Sequence, residues 1–133
     1  MPLQTQARTK FFVEIIKPSH YDDDGYVIQW LRAFIPSNSL ACLYALARDV
    51  QQRRALGAAV DLVLNVYDES HTVIPVRRII RRIHASGGRG LVLLAGVQSN
   101  QFPRALDLAR EFRKAGIAVV IGGFHVRRHL QCR

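Results

Sequence analysis

Four short apolar runs separated by amphipathic stretches set the rhythm of the chain. Phe11–Ile16, Val60–Tyr67, Leu91–Ala95 and Ala118–Ile121 are rich in branched side chains and nearly continuous, the pattern of strands buried on both faces. Between them the period changes to that of a helix. After the second run, Val76, Ile79, Ile80 and Ile83 recur at i, i+3, i+4 and i+7, with Arg77, Arg78, Arg81 and Arg82 on the other side. Pro75 suits the first turn of that helix and Ser86-Gly87-Gly88 its end. A stretch from Leu40 to about Arg54 places Leu43, Ala47 and Val50 on one stripe, with Ser39 as its expected cap and Gly57 as its close. A third places Ala105, Leu108, Ala109 and Phe112 on one stripe, between Pro103 and Gly116.

Strands alternating with helices specify a parallel sheet with right-handed crossovers. The predicted class is α/β: a three-layer flavodoxin-like (Rossmann-like) parallel sheet of about four strands with helices on both faces. The one irregular connection follows the first strand, which stops at Lys17-Pro18 because proline cannot donate to the ladder. In it, Asp22-Asp23-Asp24-Gly25 reads as a solvated turn, and Val27, Trp30, Leu31 and Phe34 stand at helical spacing, which predicts a short helical turn. A connection of this length usually has a function.

Composition narrows the class. The 133 residues are 49% hydrophobic and 22% charged, as in a single folded domain rather than a disordered chain. No apolar run approaches the roughly 20 residues needed to span a bilayer, and the first residues lack a secretory h-region; a cytoplasmic location is expected. Cys42 and Cys132 form no CxxC or CxxxCxxC cluster, so neither an iron–sulfur nor a structural zinc site is visible. The net charge of +9 comes from 16 Arg and 3 Lys against 10 acids. Such an excess raises nucleic-acid binding through the Arg77, Arg78, Arg81, Arg82 face and the basic end of the chain, but no aromatic residues are interleaved to stack on bases.

Candidate chemistry gathers at the carboxyl ends of the strands, the edge where open parallel sheets bind ligands. Gly122-Gly123 ends the fourth strand, and glycine lets a ligand approach the backbone closely; a tight turn explains it equally. Gln98-Ser99-Asn100 follows the third strand and offers a hydroxyl and amides, or simply caps the next helix. Asp68-Glu69-Ser70-His71 follows the second. The three aspartates lack the alternating spacing and distal Glu of an EF-hand, and there is no GxSxG elbow, P-loop or GxGxxG. From the residues alone the chain is a ligand-binding α/β domain whose ligand is not named.

In the order IKPSHYDDDGY, IPSNSLACLYALA, VDLVLNVYDES and GLVLLAGVQSNQFPRALDLAREFRKAGIAVVIGGFHV, residues 11–126 resemble the amino-terminal cobalamin-binding domain of cobalamin-dependent radical S-adenosylmethionine proteins. The resemblance implies a corrinoid over the carboxyl edge, with its nucleotide tail entering between a serine loop and a GG loop. It implies Ser99, Gly122 and Gly123 as tail contacts, and Val97, Gln98, Asn100 and Phe124 as their neighbours. Other cobalamin domains carry Asp-x-His-x-x-Gly after the first strand, whose His ligates cobalt. Here only His20 matches, so no metal ligand is expected beyond His20 as a weak candidate. The radical domain with its CxxxCxxC motif is absent, so no catalysis is expected from this chain alone; a catalytic partner domain or subunit is implied. Residues 1–10 read as a frayed start. The basic residues 127–133 replace the helix and fifth strand with which the family continues, as a truncation or altered frame would. A receiver-like interaction module is the alternative, but Asp22–Asp24 lie too far beyond Ile16, and the third strand ends Ala95-Gly96-Val97 instead of in an aspartate.

Overall fold

A computed structural model describes residues 7–30 and 37–126. Strands β1 (Thr9–Lys17), β2 (Val60–Asp68), β3 (Gly90–Leu94) and β4 (Ala118–Ile121) alternate with helices α1 (Asn38–Gln52), α2 (Val76–Ala85) and α3 (Phe102–Lys114). All strand pairs are parallel, in the order β2-β1-β3-β4. The chain is therefore an α/β domain with a flavodoxin-like arrangement, as the alternating pattern predicts.

β1 is internal to the sheet and covered on both faces, which explains its unbroken apolar run. Phe12 and Ile16 point into a core with Ile79 and Ile83 of α2 and Ala105, Leu108 and Phe112 of α3. Val13 and Ile15 point the other way, into a smaller core with Leu40 of α1, Leu62 and Ala95. One face thus carries two helices and the other carries α1, which packs on β1 and β2.

Two local expectations are corrected. The cap of α1 is Ser37, not Ser39: its hydroxyl accepts from the Leu40 N–H at 3.3 Å, two residues earlier than the apolar stripe suggests. No helix forms over residues 26–30. Tyr21 pairs with Val27 in an antiparallel bridge, the Ile28 N–H donates to the His20 carbonyl at 2.9 Å, and the Trp30 N–H donates to the Ser70 carbonyl at 2.7 Å. These partners, distant in sequence, outweigh the local helical spacing. Leu31 and Phe34 lie outside the described residues, as do 1–6 and 127–133. Asp22-Asp23-Asp24 is an exposed turn, with Asp22 Oδ1 accepting from Asp24 and Tyr26 N–H and Gly25 at φ +85°.

Candidate functional site at the carboxyl edge

The parallel register brings the four strand ends, and the loops that follow them, to one edge. There the loop after β4 is bonded to the loop after β3. The Gly122 N–H donates to the Leu94 carbonyl at 2.9 Å, the Val97 N–H to the Gly122 carbonyl at 3.0 Å, and the His125 N–H to the Val97 carbonyl at 3.2 Å. The two glycines play different parts. Gly123 sits at φ +146°, and a Cβ on it would lie 2.3 Å from Val97 N and 2.5 Å from Val97 O. Its glycine is required by backbone packing, with no ligand needed. At Gly122 a Cβ would meet nothing within 4 Å, so no contact among the described residues explains the missing side chain.

Gly122 and Gly123 line a cleft of about 400 Å³ together with Ser39, Cys42 and Leu43 of α1, Leu93, Leu94, Ala95, Gly96 and Val120. Gly96, at φ +64°, lets the chain turn under α1: a Cβ there would sit 3.0 Å from Ser39 Cβ. The cleft is apolar apart from Ser39 and the exposed backbone, a surface suited to a flat apolar group with polar ends.

The serine loop lies next to the GG loop, outside the cleft lining. Ser99 Oγ shares a hydrogen bond with His125 Nδ1 at 3.2 Å, and the His125 ring stacks on Phe102 at 4.2 Å between centroids. The Gln98 N–H donates to Gln101 Oε1 at 3.0 Å, and α3 has no side-chain cap, so neither Ser99 nor Asn100 performs the capping role open to it. Gln98, Ser99, Asn100 and Phe124 are exposed at the rim. The structure therefore brings Ser99 and the two glycines onto neighbouring loops, with the glycines alone forming cleft wall. His20 stands on the same edge, in the connection after β1. Among the described residues no three His, Cys, Asp or Glu side chains gather as a metal site; His71 lies 3.6 Å from Asp68.

A charged cluster braces this edge. Glu69, 1% exposed, accepts from Arg104 Nε at 3.1 and 3.2 Å, from Arg104 Nη2 at 2.6 Å and from the Ser19 N–H at 3.0 Å. Arg104 Nη1 reaches the Tyr21 hydroxyl at 3.4 Å, and that hydroxyl donates to Asp107. The cluster ties the connection after β1, the end of β2 and α3 into one unit. Burial would lower the Arg104 pKa, but hydrogen bonds to Glu69 and Tyr21 and the Glu69 charge more than offset it, so it stands above its ordinary value. Burial, and then the bond to Asp107, push the Tyr21 phenol above its ordinary value, against the opposing pull of Arg104.

A second buried acid lies in the middle of β1. Glu14, 0% exposed, accepts from Arg82 Nη2 at 2.6 Å and Asn65 Nδ2 at 3.1 Å, while Arg82 also donates to the Tyr67 hydroxyl at 3.1 Å and stacks 5.5 Å over Phe12. This corrects the outward face expected of α2. Arg77, Arg78 and Arg81 are exposed, but Arg82 turns inward to neutralise Glu14, which leaves a smaller basic face for any polyanion.

The chain matches no protein-family model, no curated protein and no solved structure. No helix among the described residues is long and apolar enough to cross a membrane.

Both charged clusters escape the sequence reading. Glu14 had a signal, since an acid inside FFVEII must find a cation if the strand is covered on both faces. Arg104 had none, because its partner Glu69 stands 35 residues away and meets it only through the crossover of α2 and β3.

Proposed function

We propose that this domain binds a corrinoid at the carboxyl edge of its sheet, with the nucleotide tail in the cleft between α1 and the ends of β3 and β4. The observation that carries the reading is Gly122. It walls the cleft, its Cβ position is open space, and among the described residues no contact requires a glycine there. A cradle that a side chain would fill fits a group that must lie against the backbone. The apolar lining suits the benzimidazole of a tail, and the neighbouring rim of Gln98, Ser99, Asn100 and Phe124 offers polar partners for the nucleotide loop. In this reading Gly123 holds the wall in place and Glu69, Arg104 and Tyr21 hold the rim rigid. A bound corrinoid would supply a cobalt centre for chemistry completed by a catalytic partner; the residues here bind and orient it. The reading requires no protein ligand to cobalt, with His20 the nearest candidate by sequence.

The test is to mix the purified protein with hydroxocobalamin and follow its visible spectrum and its co-elution on gel filtration. Retention that is lost in Gly122→Leu, with circular dichroism unchanged, is the expected result. Folded wild-type protein that retains no corrinoid overturns the proposal.

A further inference from the structure

At the amino end of the sheet β1 runs past one of its neighbours. β3 starts at Gly90, opposite Phe12, so Thr9, Lys10 and Phe11 pair with β2 alone. Side chains alternate along a strand, and Phe12 and Glu14 face α2. The same face therefore carries Lys10 and, one residue before the strand, Arg8. The last turn of α2 and the turn into β3 border this overhang and leave a cavity of about 630 Å³, lined by Arg8, Lys10, Phe12, Arg82, Ala85 and Arg89, among others.

The charge of the cavity is one-sided. Cations reach it from β1, α2 and the turn before β3, and no acid stands among the described residues of its lining. Arg82 is neutralised by Glu14. The ion pairs of the described residues also take up Arg53, Arg104, Arg110 and Lys114, and none of Arg8, Lys10 and Arg89. Asp61, opposite Lys10 on β2, is exposed and makes no ion pair with it. Helix electrostatics explain one of the three cations. Arg89 Nη1 donates to the Ser86 carbonyl at 3.2 Å, just past the end of α2, where positive charge is favoured. They do not explain Arg8 and Lys10, which belong to the strand side. Arg82 is itself incompletely bonded. Its Nη2 donates to Glu14 and Tyr67, its Nε is buried without a partner, and its Nη1 makes no bond among the described residues.

We infer that this cavity binds the phosphates of a small polyphosphate, free or as the tail of a nucleotide. Like charges gathered in a concave site raise the local potential and draw in an anion, and the Arg fork matches pairs of phosphate oxygens. A single carboxylate or phosphate would occupy little of a cavity whose volume is in the range of small-molecule sites. A nucleic-acid strand is the poorer fit, because it lies along a cationic track, whereas these cations converge from three elements on one hollow.

The nine residues of β1, at about 3.3 Å each, set the cavity about 26 Å from the carboxyl edge. The inference does not rest on the corrinoid reading, and neither ligand displaces the other. The test is isothermal titration calorimetry of the full chain with sodium tripolyphosphate, ATP and a short single-stranded DNA. Saturable one-to-one binding of tripolyphosphate, weakening as salt rises, is the expected result. The double variant Arg8→Gln, Lys10→Gln, at exposed positions and shown to be folded by circular dichroism, should weaken it at least about tenfold. Arg77→Gln with Arg78→Gln removes the same charge from the exposed face of α2 and should leave the affinity within about twofold. ATP bound as tightly as tripolyphosphate assigns the cavity to a nucleotide tail, and tripolyphosphate bound alone assigns it to a free polyphosphate; either supports the inference. Absence of saturable binding, a loss in the Arg8, Lys10 variant no greater than that in the Arg77, Arg78 variant, or DNA that binds and is not displaced by tripolyphosphate each overturns it. Hydroxocobalamin retention by the Arg8→Gln, Lys10→Gln protein, read separately, keeps the failure of one proposal distinct from that of the other.

Discussion

The two faces of the sheet are built to different degrees of closure. Among the described residues, the α2 and α3 face buries twelve in one core, from Phe12 to Ile117, and takes Glu14 inside with its cation. Among the described residues the α1 face buries five and leaves β3 and β4 lined by open, apolar surface. Both are faces of the same strands, so the difference lies in the helices that cover them. Two crossovers, α2 and α3, fall on one side, and a single crossover falls on the other. A closed face stabilises a fold; an open one offers binding surface, and the carboxyl end of this one is where the glycines lie.

Substitutions should expose that asymmetry. Phe112→Ala, at the centre of the closed face, is expected to cost about 3–5 kcal/mol in urea denaturation, whereas Leu93→Ala, half-buried on the open face, should cost well under half of that. Equal losses would contradict the comparison. Next in size is the charged brace shared by the carboxyl-edge loops. Arg104→Met leaves Glu69 buried without its cation, for an expected loss of about 3 kcal/mol, and adding Glu69→Met should recover part of it; a double variant no better than the single one would remove the pair from the account. At the GG loop the two positions should separate. Gly123→Ala is expected to cost about 2 kcal/mol, for strained backbone and collision with Val97, and Gly122→Ala about 0.5 kcal/mol or less, measured by the same denaturation. The smallest effect is in pH. Folding raises the Tyr21 pKa above the ordinary value of 10.0, so the stability from that phenol is intact below pH 10 and lost as the pH rises through the folded value. Ultraviolet titration should show one tyrosine ionising later than in Tyr21→Phe.

The sequence legibly records whatever is periodic. The four strands, the three helices and the stripe Ala105, Leu108, Phe112 follow from spacing alone, because burial on one or both faces imposes it. It does not record what the crossovers bring together. The Arg104–Glu69 pair and the inward turn of Arg82 depend on which helix lands over which strand, and the region 26–30 is extended because its partners, His20 and Ser70, arrive from elsewhere. The GG loop was visible as a motif, but its two glycines read alike until the backbone of Val97 was placed against one of them. Only then does Gly122 stand out as the position whose missing side chain the fold does not explain.

The central claim is that the open face binds at its carboxyl end through Gly122. Its most direct measurement is a visible-absorption titration of hydroxocobalamin with wild-type and Gly122→Leu proteins, each shown to be folded. The account predicts a saturable spectral shift with the wild type and none with the variant. A shift that survives Gly122→Leu, or none with either protein, would contradict it.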